Sequence, residues 1–428
     1  MYNKEDLKEL FFSEIREALG CTEPACAALA GAKARDLVGS HVCRAEVYVS
    51  RDMMKNAMGV SIPNSDLSGI QAAVSLGLSV GNSQNGLNVL SLVTDKEREE
   101  AKTINVDVKL ASNVPALYIA VKAYGDKDYS FVSIENEHDR FSRLMKNGEV
   151  LDMGNLFQDE CGTELNQDFL DAMTLSDIID FSENLDDELK DLLYKAVDTN
   201  LCIAYAGLEA DWGLSVGKTM SAEIHNIDTL DKAMRKGAAL AASGSDARMA
   251  GSVRPVMINS GSGNQGITVT VPVAVVAEYL KKSKDEMLKA VAIAETIGLV
   301  LTNRKSRLSA LCGAFTAAIG TATAWTYLLG GDLNQMNSTI NNMVGNLTGI
   351  ICDGAKRTCA LKIYSSLISA SVAVHLAMKG KCCNEESGIV GSDALESITY
   401  LSRISHEGMT QTDKTILDIM LEKGKNRN

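Results

Sequence analysis

The sequence predicts an α+β protein in which a strand-rich segment of α/β type accompanies a larger helical body. Three observations carry this reading. Leu7, Leu10, Phe11 and Ile15 recur at helical spacing over residues 4–18, and GCTEP (20–24) breaks the pattern before an almost uniformly small-residue run, ACAALAGAKARDLV. From about residue 42, VCRAEVYVS, INVDVKL, LYIAVKAYG and YSFVSIENE alternate or cluster β-branched residues as strands do, with LSGIQAAVSLGLSVG between them as a helix. From Leu201 onward, helix patterns predominate, many of them rich in Ala, Gly and Ser, as closely packed layers require.

The elements follow in order. Pro24 suits the first turn of a second helix. The acidic stretch Asp168–Asp198 reads as a helical connection. The uncharged run from Leu308 to Gly331 is long enough to span a membrane, but its Ala, Thr and Gly content, and the Arg304, Lys305 and Arg307 before it, make it a buried central helix. No repeat interrupts the order.

Composition narrows the functions. With 42 basic and 55 acidic residues the net charge is −13, without a long basic run, so nucleic acid and anionic membrane are not expected partners. MYNKEDLKELFFSEI has no apolar core of a signal peptide, and ten cysteines scattered over 428 residues read as reduced thiols of a cytoplasmic protein. The Ala/Gly-rich helices could equally support a homo-oligomer interface.

Two phosphate-type motifs fail. GSGNQG (261–266) matches G-x-G-x-x-G, but the β-branched ITVTVPVAVV, interrupted by Pro272, argues against a helix opening after it. A ligand loop holding an anion and a tight turn both remain for this stretch, with Asn264 and Gln265 favouring the ligand loop. GLSVGKT (213–219) has three residues between its glycines where the phosphate loop has four, so it reads as a helix boundary. The five histidines are dispersed and none is assigned to a metal. Pyridoxal phosphate has no lysine singled out for it.

Cys21 in GCTEP, Cys312 in LCGA and Cys352 in CDGAK all fall at or near expected helix ends, where the dipole favours thiolate. Such thiolates suit soft metals or iron–sulfur clusters, although dispersed cysteines are more often core residues. GCTEP with its Ala-rich helix, SDARMAG (245–251), INSGSGNQG (258–266), LCGA (311–314) and CDGAK (352–356) occur in this order. The set closely resembles the L-cysteine desulfidase family, which is related to the α-chain of the iron–sulfur L-serine dehydratases.

That resemblance implies a [4Fe–4S] cluster held by Cys21, Cys312 and Cys352, with one iron left open, and α,β-elimination of L-cysteine to pyruvate, ammonia and hydrogen sulfide. Serine dehydration on the same scaffold is the alternative within the class. A non-catalytic protein binding a small anion or amino acid is the alternative outside it. For the substrate, Gly261, Gly263, Asn264, Gln265 and Gly266 are the expected anion site, with Arg248 and Lys356 as charged alternatives and Glu23 as a partner for the ammonium or for Cys21. Ser260, Ser262 and Lys356 are the candidates for the Cα base. Cys26, Cys359, Cys382 and Cys383 lie outside the motifs and are expected to be structural. A shared cluster further implies that the N-terminal helix pair (1–41) packs with the helical catalytic domain (191–428), so that 42–190 is an inserted α/β domain.

Overall fold

A computed structural model describes residues 3–151, 169–305 and 309–425 of the chain. Cys161, Asp168 and Leu308 lie outside the described residues. The chain starts with helix α1 (Lys4–Glu14), strand β1 (Glu17–Leu19), α2 (Thr22–Val38), β2 (Arg44–Val49), α3 (Arg51–Ala57), α4 (Gly69–Val80) and α5 (Asp95–Thr103). Strands β3 (Asn105–Leu110), β4 (Tyr118–Tyr124), β5 (Tyr129–Glu135), β6 (Phe141–Lys146) and β7 (Glu149–Val150) follow. Then come α6 (Phe169–Ala172), α7 (Leu175–Glu183), α8 (Asp187–Glu209), α9 (Val216–Ala222), α10 (Leu230–Met249), the short β8 (Pro255–Met257) and α11 (Gly263–Tyr279). Helices α12 (Lys284–Lys305), α13 (Gly313–Leu328), α14 (Leu333–Leu347), α15 (Cys359–Met378), α16 (Ala394–Arg403) and α17 (Thr410–Lys425) complete it. The α+β class holds.

The larger sheet has strand order β3-β2-β4-β5-β6-β7. Only the β2–β3 pair is parallel. That pair is linked through helices α3, α4 and α5, as a parallel crossover requires. Its apolar face, with Val47, Val49, Ile119, Val121, Val132 and Ile134, is buried with α2 and α4 in one hydrophobic core. A second, larger core holds α7, α8 and α10–α15. Helix α13 is buried in it along nearly its whole length, and Trp325 Nε1 donates to the Pro272 carbonyl at 3.0 Å. Among the described residues one helix, α15, is long and apolar enough to cross a membrane. It packs against α10, α13 and α14.

Three expectations change. The first helix stops at Glu14, because residues 17–19 form β1, antiparallel to β8. The N-terminal pair divides: Leu7, Leu10, Phe11 and Ile15 enter the helical core, with Phe11 and Phe181 ring centroids 5.1 Å apart, whereas the body of α2 packs in the sheet core. Its small residues serve that contact, since a Cβ at Gly77 of α4 would lie 2.0 Å from the Ala28 carbonyl oxygen. Finally, ITVTVPVAVV is helical. Ser262 caps α11 by accepting from Gln265 N, and the helix is buried from Gly263 to Ala277. Tertiary burial there overrides β-propensity, and Pro272 is accommodated within the helix.

Candidate functional site

Two backbone pairings bring remote motifs together. The β1–β8 ladder, with Glu17 opposite Met257, carries GCTEP to INSGSGNQG. Thr22 Oγ1 then donates to the Gly261 carbonyl at 2.9 Å, and Arg248 Nε donates to the Gly20 carbonyl at 2.9 Å. The tip of α2 is thereby held against the helical core although its body belongs to the other. A bridge between Leu311 and Ile351 does the same for LCGA and CDGAK, with Cys312 N bonded to the Ile350 carbonyl at 3.1 Å and Cys352 N to the Ala310 carbonyl at 2.6 Å.

Between the two assemblies lies a cavity open to solvent, with about 700 Å³ of atom-free space when its mouth is included. Cys21, Cys312 and Cys352 all line it, as do Glu23, Arg248, Gly261, Ser262, Asn264 and Gln265. Cys21 and Cys312 are the N-caps of α2 and α13, Ser262 is the N-cap of α11, and Cys359 is the first residue of α15. Four helix N-termini thus meet at one cavity. Their unpaired N–H groups and dipoles make it a place for negative charge.

Arg248 reaches the cavity because residue 263 has no side chain: a Cβ there would lie 2.5 Å from Arg248 Nε and 2.6 Å from Val256 Cγ2. The turn before it, Asn259-Ser260-Gly261-Ser262, closes with Ser262 N bonded to the Asn259 carbonyl at 2.9 Å. Both central residues have positive φ, 50° at Ser260 and 77° at Gly261, as a type I′ turn demands. The helix that follows removes the original objection to a dinucleotide loop. The strand before it, however, is antiparallel and three residues long, so no βαβ unit exists to carry that motif. The GLSVGKT stretch is a helix start, its Leu214 and Gly217 N–H groups bonded to the Asp246 carboxylate at 3.2 and 3.0 Å.

Not every candidate reaches the cavity. Ser260 lines a smaller neighbouring pocket with Glu14, Thr302 and Asn303. Lys356 is absent from the wall, and its Nζ is bonded to the carbonyl oxygens of Lys55 and Ala355, both at 3.1 Å. Gly263 and Gly266 lie within α11 rather than on the wall. Conversely, Cys359, expected to be structural, lines the cavity as a fourth thiol. Asn56, Lys305 and Ser309 also line it. The seven-residue step from Cys352 to Cys359 across a helix start was a readable sign for Cys359. The charged end of an apolar helix marked Lys305, but nothing in the sequence pointed to Asn56.

Electrostatics in the cavity depart from a simple dipole argument. Burial, aided by the adjacent Glu23 charge, pushes the Cys21 thiol well up. Cys312 and Cys352 share a hydrogen bond that pushes Cys312 up and holds Cys352 down, with Lys55 favouring the Cys352 thiolate further. Burial would raise Glu23, but His138, the Cys21 thiol and Arg248 outweigh it and keep its carboxyl below the ordinary range. Glu23 accepts from Cys21 Sγ at 2.9 Å, Thr22 Oγ1 at 3.2 Å and Asn56 Nδ2 at 3.1 Å. Burial lowers Lys305, and the nearby Cys352 and Cys312 counter it.

Among the described residues no three His, Cys, Asp or Glu side chains converge tightly enough for a single metal ion. The thiols instead line one common cavity, and a set of soft sulfur donors is the chemistry that a thiolate-bound iron–sulfur group uses.

Comparison with known proteins places the chain in a family. The profile of a family described as "Serine dehydratase alpha chain" matches residues 84–418. A "UPF0597 protein" of Parabacteroides distasonis is 36% identical over 98% of both chains. Proteins of the same description from Aeromonas hydrophila and Clostridium perfringens are each 36% identical over 98% of this chain, covering 96% and 100% of their own lengths.

Proposed function

Because the chain belongs to the serine dehydratase α-chain family, a lyase scaffold generally associated with iron–sulfur clusters, we propose that it is an iron–sulfur-dependent lyase. Its reaction is the α,β-elimination of L-cysteine to pyruvate, ammonia and hydrogen sulfide. The observation that carries this reading is that Cys21, Cys312 and Cys352, spread over some 330 residues, line one cavity with the glycine loop. These three thiols would hold the cluster. Bound by three thiolates, a [4Fe–4S] cluster keeps one iron open as a Lewis acid for the leaving group.

The chain's own residues have separable tasks. Arg248, buried and anchored to Gly20, offers its guanidinium to the substrate carboxylate beside the N-terminus of α11. Asn264 and Gln265 border that position, and Gln265 is held by Thr302, whose Oγ1 donates to Gln265 Oε1 at 3.0 Å. Glu23 is an ionised carboxylate on the same wall and pairs with the substrate ammonium. Of the three base candidates, only Ser262 lines the cavity, so it is the one carried forward for the Cα proton. Lys305 lines the thiolate side of the cavity. After elimination the aminoacrylate tautomerises and hydrolyses without further help from the chain.

L-Serine is the second reading, favoured by the family's own description. Anaerobically reconstituted protein separates the two: sulfide from L-cysteine without pyruvate from L-serine supports desulfidation, and the reverse supports dehydration. A colourless protein after reconstitution, with neither product, would sink the lyase reading and favour a non-catalytic amino-acid binder.

A further inference from the structure

The cavity wall carries polar atoms that the fold itself does not satisfy. Asn56 Oδ1, Asn264 Oδ1 and Ser309 Oγ are buried without a hydrogen-bond partner, and all three residues line the same space. Asn56 and Asn264 are 7% and 9% exposed, so bulk water does not make up the loss. An unpaired buried polar group is costly, and native folds avoid leaving several side by side.

The orientation of Asn56 is determined by its neighbour. The Glu23 carboxylate only accepts, so the Asn56 amide nitrogen must face it, as the 3.1 Å Nδ2–Oε1 contact records. The carboxamide oxygen is then turned away from Glu23, as a pure acceptor. Asn264 presents a second amide oxygen, and the Glu23 carboxyl group borders the same wall. What the two amide oxygens lack is a hydrogen-bond donor. A carboxylate, phosphate or sulfide cannot supply it, whereas an ammonium group brings three donors and no acceptor.

We propose that Asn56 and Asn264, with Glu23, form the subsite for the α-ammonium group of the substrate, so that the site selects α-amino acids over the corresponding α-hydroxy acids. This rests on the amino-acid lyase reading and deepens it. Asn56 stands on α3, in the sheet-side half of the chain, while Arg248, Asn264 and the Cys312 and Cys352 thiols come from the helical half. The strand-rich half therefore contributes directly to substrate recognition. An N-acylated amino acid, which has lost both the charge and two donors, is excluded by the same wall.

The test compares L-serine with L-glycerate, which differ only in bearing ammonium or hydroxyl at Cα. Both are titrated calorimetrically into cluster-free and into anaerobically reconstituted protein, for wild type, Asn56→Leu and Asn264→Leu. The second variant does not touch Glu23 and guards against a folding defect in the first; melting temperature and iron content are recorded for each. Wild type is expected to favour L-serine by about tenfold or more, and each variant to lose most of that preference while its weak affinity for L-glycerate barely moves. Variants that fold and keep the wild-type preference overturn the subsite. Iron that fails to load, with the preference intact, removes the cluster chemistry but leaves the subsite standing. If wild type binds neither ligand, the amino-acid reading and the subsite fall together.

Discussion

Asn259 donates its Nδ2 to Glu295 Oε2 at 2.6 Å and to the Glu295 carbonyl oxygen at 3.1 Å, and neither side chain reaches solvent. Gly298, one turn along α12, leaves room for the carboxamide, since a Cβ there would lie 3.0 Å from Asn259 Oδ1. Ser260 Oγ in turn donates to Asn259 Oδ1 at 3.0 Å. Helix α12 thus anchors the turn whose far side borders the cavity, without itself meeting substrate at this point.

Burial pushes the Glu295 carboxyl up to about 8, so it is neutral in the folded protein at pH 7. In the unfolded chain a glutamate loses its proton near pH 4.3. Between those values the folded state holds a proton that the unfolded state has released, so stability falls as pH rises from about 4.5 to about 8 and then levels off. Glu295→Gln keeps an acceptor for Asn259 and removes the titration. Melting temperatures across this range should decline less for Glu295→Gln than for wild type; parallel profiles would contradict a neutral Glu295.

Gly263→Ala should damage substrate binding before it damages the fold. The added methyl would sit 2.5 Å from Arg248 Nε and 2.6 Å from Val256 Cγ2, forcing Arg248 off the Gly20 carbonyl. Overpacking of this kind costs about 1–3 kcal/mol of stability. The measurement is amino-acid affinity against melting temperature. A tenfold or larger loss of affinity in a protein that still melts cooperatively is expected, and an unchanged affinity would remove Arg248 from the carboxylate site.

How much of this was legible in the sequence depends on the residue. GCTEP, LCGA and CDGAK announce helix starts through Gly, Pro and the change of periodicity, and the structure places helices α2 and α13 directly after two of them. The β-branched run after GSGNQG misled, because local propensity for strand yields when a segment is buried on all sides among helices. The division of the N-terminal helices between two cores was also hidden, since a helix of Ala and Gly has no apolar stripe to declare which neighbour it packs against. Asn56 was invisible for a different reason: its importance lies in what Glu23 does to its amide, a contact between elements that periodicity does not encode.

The C-terminal helix is held to the site's far side by unequal ion pairs. Lys55 is 1% exposed and paired closely with Asp413 of α17 and more distantly, at 4.0 Å, with Asp52, whereas Arg51 and Asp418 are both about half exposed at 3.8 Å. Removing the partner of a buried cation leaves a charge in low dielectric, which costs about 3–5 kcal/mol, while an exposed pair contributes about 0–1 kcal/mol. Asp413→Asn should therefore lower the melting temperature by several degrees and Asp418→Asn hardly at all. Equal effects would show that Lys55 finds another partner.

Iron content tests which thiols hold the proposed cluster. Cys21 and Cys312 are the N-caps of α2 and α13, and Cys352 follows the Leu311–Ile351 bridge that brings it beside Cys312. Cys359 instead turns toward its own loop, its Sγ accepting from Lys356 N at 3.4 Å and lying 3.7 Å from the Gly354 carbonyl oxygen. Ser in place of Cys21, Cys312 or Cys352 should each abolish most of the iron retained after anaerobic reconstitution and gel filtration, because a hydroxyl is a poor substitute for a soft thiolate. Cys359→Ser should retain iron close to wild type. If Cys359→Ser loses iron as completely as Cys312→Ser, the ligand set includes the fourth thiol and the open coordination position must be reassigned.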